Sequence, residues 1–127
     1  LKRYLDAQQQ RGEPLCMVGD FNIGLEARDL PDPDRQTGGI MASDAERQAL
    51  RDALGDRLQD VFRVFEPDSG HWSWWDYRSG AWDRDRGWRI DYILASPALA
   101  DRLIDARIDG RSPALSDHCA VHATFRR

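Results

Sequence analysis

Residues 88–96, WRIDYILAS, set an aspartate inside an apolar run with the alternation of a strand. Ile90, Tyr92 and Leu94 alternate with Asp91 and Ile93, the two-residue period of a pleated backbone. Burying a carboxylate with no partner costs on the order of several kcal/mol. Any fold this chain adopts must therefore bring a partner to Asp91. Histidine suits that place, because an aspartate holds imidazole in one tautomer and stabilises its charged form. The neighbouring Arg89 or Tyr92 would satisfy the carboxylate equally well, without chemistry.

A second apolar run, LCMVG at 15–19, reads as a buried strand that delivers Asp20 and Asn22 to its end, a common place for ligands in α/β proteins. In extended backbone these two side chains point the same way, with Phe21 turned opposite. Around the two strands, residues 1–11 suggest a helix with Leu1, Tyr4 and Leu5 on one face, ended by Gly12-Glu13-Pro14. Residues 24–42 read as a surface excursion with few apolar anchors. Ser43 and Glu46 fit a capping box, followed by a helix through about residue 58 with Ala45, Ala49, Leu50, Ala53, Leu54 and Leu58 on one face. A short strand over 60–65, a long irregular segment over 66–87, a short helix from Pro97 to about Leu103 and strands over 104–109 and 119–126 complete the order. Helices interleaved with strands predict an α/β or α+β architecture.

With 127 residues, of which 41% are hydrophobic, the chain suits one domain with a modest core. No run approaches the roughly 18 apolar residues of a membrane helix, and no signal peptide is visible, so a cytoplasmic setting is expected. Cys16 and Cys119 lie in separate strand-like runs, and the simplest expectation is two buried free thiols in a reducing compartment. The formal charge of −4 argues against a protein held to nucleic acid by bulk positive charge. It does not exclude a nuclease, since a bound cation offsets local acidity and arginines can gather on one face. Leu1 opens an amphipathic helix already in progress, which suggests a fragment, a processed product or a truncated form.

The chemistry-bearing residues are Asp20, Asn22, Asp91, Asp117 and His118. Asp20 and Asn22 form either an Asx turn after a strand or a pair in which the carboxylate serves a metal or a proton and the amide donates to a phosphate oxygen. Asp117 and His118 follow Pro113 at a loop-to-strand junction; they are an exposed loop pair or a site where one side chain approaches a metal and the other water. An imidazole with an ordinary pKa of about 6.5 suits proton transfer at neutral pH. His71 and His122 have no comparable context. A phosphodiester fits the set: its non-bridging oxygens need positive charge, its attacking water needs orientation and its leaving oxygen needs a proton. Oxygen ligands favour Mg²⁺ or Mn²⁺ over zinc. No Walker loop or dinucleotide fingerprint is present.

All five tryptophans crowd residues 72–88. Trp72, Trp74, Trp75, Trp82 and Trp88, with Tyr77, are interleaved with Arg78, Arg84 and Arg86. Some must be core. The rest could form a nucleic-acid rim, with arginines on phosphates and an aromatic wedge at a damaged base.

GDFN at 19–22, WWDYR at 74–78 followed by RGWRIDYIL, and the terminal SDH at 116–118 stand in the order found in the exonuclease III and abasic-endonuclease branch of the endonuclease–exonuclease–phosphatase superfamily. The chain resembles the C-terminal part of that family over essentially its whole length. The resemblance implies the C-terminal half of a four-layer αββα sandwich, residues 1–127 forming one incomplete domain. It implies Mg²⁺-dependent cleavage of double-stranded DNA beside abasic sites or at 3′ ends, in base excision repair, by the full-length parent. Asp20 would assist proton transfer, Asn22 would orient phosphate, and Asp91 would orient His118, which would contact the scissile phosphate or activate water. Asp117, Asp20 and Asn22 would form the metal environment, and Arg78, Trp82, Arg84, Arg86 and Trp88 would meet DNA, with Trp82 part of an insertion loop. The family's N-terminal half, with its early asparagine, metal-binding glutamate and middle tyrosine, has no counterpart here. An apolar sheet face would then need that half or a second chain to cover it, and these residues alone would be weakly active or inactive. An inactive nucleic-acid- or protein-binding member and a phosphatase of small phosphate esters are the rival readings.

Overall fold

The apolar runs flanking Asp20 and Asp91 pair with each other. In the computed structural model, which describes residues 1–110 and 116–127, β1 (Cys16–Asp20) lies antiparallel to β3 (Asp91–Ala95), placing Asp20 opposite Asp91 and Val18 opposite Ile93. The two-residue β2 (Gln59–Asp60) pairs with the other edge of β3, giving the order β1-β3-β2. A second sheet is the antiparallel pair β4 (Leu103–Ile108) and β5 (Val121–Phe125), with an irregularity between Leu103 and Asp105. Pro113 lies outside the described residues.

Alternation gives the first sheet two different faces. Tyr92 and Leu94, with Met17, turn toward helices α1 (Lys2–Arg11) and α3 (Asp44–Leu54) and form a core with Leu5, Leu50, Leu54 and Leu58. On the opposite face Ala95 and Val61 pack with Ala106, Ala123 and Phe125 of the hairpin β4–β5. The mixed α/β class expected from the sequence is the class observed.

Helix α3 starts as predicted. Ser43 accepts from the Glu46 amide and Glu46 reaches back to the Ser43 amide, at 3.3 and 3.0 Å. It ends earlier than predicted, at Leu54, because Gly55 takes φ 53°, a conformation open to glycine at little steric cost.

Several expectations need correction. The β1 strand is not buried: its outward row is open, with Val18 65% exposed and Cys16 exposed, so only Cys119 is a buried thiol. Along α1 only Leu5 is buried, while Leu1 and Tyr4 are exposed. The strand read over 60–65 stops at Asp60, whose carboxylate accepts from the Phe62 amide and turns the chain into the short helix α4 (Phe62–Phe65). The excursion at 24–42 contains a 3₁₀ turn at Ala27–Asp29 and the short helix α2 (Pro33–Gln36). It is anchored by Leu30, Ala42 and the fully buried Asp29. The fifth helix, α5, covers only Pro97–Ala100.

Candidate active site

Asp20 ends β1 and Asp91 begins β3, so one register brings two carboxylates side by side. His118 arrives from the segment before β5, through an isolated bridge between Trp74 and His118. Its Nδ1 lies 2.9 Å from Asp91 Oδ2. Arg89 and Tyr92 do not fill that role. Ligand atoms of Asp20, Asp91 and His118 all lie within 4.8 Å of one another. Asp20 is the exposed member of the three and the other two are half-buried. Asp20 and Asp91 border a shallow hollow of about 290 Å³ shared with Val18, Ile93, Cys119 and Val121.

Asn22 joins Asp20, though not by extended backbone. It adopts φ 52°. Its main-chain amide donates to Asp20 Oδ1 at 2.8 Å and its side-chain amide to Oδ2 at 3.1 Å. This is an Asx turn, and it orders both groups together. The buried Tyr92 hydroxyl fixes the following turn, accepting from the Leu25 amide at 3.0 Å and donating to the Ile23 carbonyl at 2.8 Å. Burial, then the neighbouring Asp29, pushes the Tyr92 phenol well above its ordinary range, so it stays a neutral hydrogen-bonding group.

Asp117 stands outside the three-residue group. Its Oδ2 accepts from the Trp74 indole at 3.0 Å, and its carbonyl accepts from the Trp75 amide at 3.1 Å. Asp117 thereby ties the aromatic segment to the residue beside it, His118.

The tryptophans divide. Trp75 is 3% exposed and meets Trp82 edge-on at 5.1 Å between ring centroids. Trp82 also lies against Tyr77, so it is a packed cluster member rather than a projecting wedge. Gly87 permits this packing: a Cβ there would stand 2.5 Å from Trp72 Cβ and 2.7 Å from the Trp75 ring. Trp74 and Trp88 instead face a cavity of about 570 Å³, with Arg35, Arg84, Arg86 and Asp32 on its rim. The Arg84 guanidinium donates to the Ser79 carbonyl at 2.5 Å, and Arg86 pairs with Asp32 at 3.1 Å. Arg78 is exposed but does not line that cavity. Asp20, Asp91 and His118 do not line this cavity, whereas Trp74, which bridges to His118, does.

Sequence reasoning missed the buried ion network behind β3. Asp29 pairs with Arg89 at 2.8 Å and with Arg63, and Arg89 reaches Asp60 at 2.6 Å. The Arg89 guanidinium also lies over the Tyr92 ring, 4.5 Å from its centroid. Burial alone would lower the Arg89 pKa, but Asp60 and Asp29 outweigh it and hold the group above its ordinary range. The only available signal was an arginine in an apolar run, which demands counter-charges but does not name them.

A model of the endonuclease/exonuclease/phosphatase family matches residues 1–118. The chain is 38% identical to an exodeoxyribonuclease of Bacillus subtilis, over 95% of this chain and 47% of that protein. Among solved structures, a Neisseria 3′ phosphatase bound to a product DNA hairpin superposes with a TM-score of 0.91 at 36% identity, covering 99% of this chain and 50% of that one. An AP endonuclease from Archaeoglobus fulgidus gives a TM-score of 0.81 at 30% identity, covering 97% and 52% respectively. The chain spans about half the length of each of these three proteins.

Proposed function

The chain belongs to the endonuclease/exonuclease/phosphatase family, and on that premise we propose that the complete gene product hydrolyses DNA phosphodiester bonds with a divalent cation. The reading includes 3′–5′ exonuclease and abasic-site endonuclease activity in base excision repair, within the cytoplasm. Residues 1–127 are read as the C-terminal portion of one such domain. The observation that carries the proposal is the convergence of Asp20, Asp91 and His118, whose ligand atoms lie within 4.8 Å of one another.

The donor set fits a hard cation, being rich in carboxylate oxygen. His118 Nδ1 already faces Asp91, which favours Asp20 as the oxygen ligand and reserves the histidine for proton chemistry. Mg²⁺, or Mn²⁺ in its place, would polarise the phosphoryl oxygen and neutralise charge developing there. With its Nδ1–H donating a hydrogen bond to Asp91, His118 presents the Nε2 lone pair, able to contact the phosphate or take a proton from water. Asn22 spends one side-chain N–H on Asp20 and has a second for a phosphate oxygen. Asp117 adds negative charge to the metal environment and holds Trp74 in place. Double-stranded DNA would lie along Arg84 and Arg86, with Trp74 and Trp88 walling the adjoining cavity. Arg78 and the Trp82 cluster would flank the duplex. The open row at Cys16 and Val18 would be covered by the rest of the protein or by a second chain.

A second reading has its own support, because one close structural neighbour is a 3′ phosphatase. Removal of a 3′-phosphate from DNA requires the same phosphoryl chemistry with a different leaving group. A panel of an abasic duplex, a recessed 3′ end, a 3′-phosphorylated hairpin and a small phosphate ester, each with Mg²⁺, tests both. Cleavage of either diester substrate supports the nuclease. Turnover of the 3′-phosphorylated hairpin alone selects the second reading, and turnover of none contradicts both.

A further inference from the structure

Ser73 lies against the main chain of Asp91 and is fully buried, 0% exposed. Its Oγ accepts from two consecutive main-chain amides, Ile90 and Asp91, each at 3.1 Å. Its carbonyl accepts from the Cys119 amide at 2.8 Å, and its own amide donates to the Trp88 carbonyl at 2.9 Å. One residue therefore holds the backbone of Asp91 through its side chain and the residue after His118 through its main chain. Asp91 opens a strand of one sheet, His118 leads into a strand of the other, and among the described residues no ladder joins the two sheets.

We propose that Ser73 is a positioning residue whose hydroxyl sets the Asp91–His118 distance and so governs the chemical step; this rests on the phosphodiesterase reading above. Three features favour a specific role over ordinary packing. A buried serine contributes little apolar area. Alanine would fill almost the same space, yet would leave one buried and one half-buried amide without their acceptor. The hydroxyl also acts on Asp91 itself rather than on a distant part of the strand. With both amides released, the start of β3 keeps its pairing with β1 but loses its hydrogen bonds to the residue that also holds the segment carrying His118. A misplacement of about 1 Å in a catalytic geometry can cost on the order of 10²-fold in rate.

The test compares steady-state and single-turnover cleavage of a duplex substrate by the complete gene product as wild type, Ser73→Ala, Ser73→Thr and Val61→Ala. Val61 is equally buried but packs in the core between the two sheets with Ala95 and Ala106, so it controls for lost stability. Ser73→Ala is expected to lower kcat about 10²-fold with KM changed less than about threefold. Ser73→Thr, which keeps the oxygen, should restore most of the rate, and Val61→Ala should stay near wild type. Should Ser73→Ala fail to fold, Ser73→Cys takes its place with the same expectation. In an Asp91→Asn background, Ser73→Ala should cost little more, because residues acting as one unit are not additive. The inference is overturned if Ser73→Ala keeps the wild-type kcat, if a folded Ser73→Thr is as slow as Ser73→Ala, or if the full loss persists in Asp91→Asn. A wild type that cleaves nothing overturns the phosphodiesterase reading instead.

Discussion

His118 and Asp91 are both singled out as candidate chemical residues by the sequence, for different reasons. Asp91 interrupts an apolar strand and demands a partner, whereas His118 is marked only by its place in the SDH motif. Their 2.9 Å approach resolves the choice between histidine and arginine that local sequence leaves open. Replacing His118 with alanine should lower the single-turnover rate by roughly 10²–10⁴-fold, the range for general acid–base catalysis, while DNA affinity changes little. A normal rate in that variant would remove His118 from the chemistry. Arg89, the rejected partner, pairs with Asp29 and Asp60 instead. Its neighbour Asp29 is fully buried between two guanidinium groups, and breaking a buried pair on one side costs about 3–5 kcal/mol. Urea unfolding of Asp29→Ala should show a loss of that size. A midpoint equal to wild type would mean the network contributes nothing net.

The elements are legible where one periodicity rules and illegible where a side chain overrides it. The alternation at 88–96 and the capping box at Ser43 lead directly to β3 and the start of α3. Asp60 shows the opposite case: the apolar residues after it continue a strand pattern, but its carboxylate captures the Phe62 amide and turns the backbone. The aromatic segment holds both packed and cavity-facing rings, and composition alone does not say which is which: Trp75 packs where Gly87 leaves room for it, while Trp74 and Trp88 line the cavity. The α3 cap carries a pH signature. Hydrogen bonds from the Ser43 side chain and then its amide hold the Glu46 carboxyl below its ordinary value of 4.5. Because the folded-state pKa is depressed, the cap's contribution is present above pH 4.5 and is lost as pH falls through the lower folded value. Acid unfolding followed by circular dichroism should therefore show a shallower acid loss for Glu46→Gln than for wild type. Identical acid limbs would contradict the cap's ionic role.

For the whole molecule, order along the chain conveys more than any single motif: three short sequences far apart converge on one site because β1 pairs with β3 and Trp74 bridges to His118. At the outer surface of β1 the local pattern and the expectation of an uncovered apolar sheet face disagree, and the exposure follows the latter. An apolar run implies burial, but Val18 is 65% exposed and lies across from Ile93 beside the site. Exposed apolar rows of this kind mark surfaces that associate. These 127 residues alone should sediment as an associated species, with Val18→Lys shifting them toward monomer; a monomeric wild type would contradict that reading. Duplex binding should depend on salt through Arg84 and Arg86, and replacing both with alanine should reduce the salt slope by about 0.9 for each phosphate the two arginines neutralise. The most direct test of a single cation-dependent site is single-turnover hydrolysis of an abasic duplex by the complete gene product, with Mg²⁺ and after chelation, for wild type and Asp20→Ala. Rapid cleavage by wild type that disappears on chelation, and is lost in Asp20→Ala even with Mg²⁺, is the predicted result. Cleavage that survives chelation, or that Asp20→Ala leaves at the wild-type rate, would contradict it.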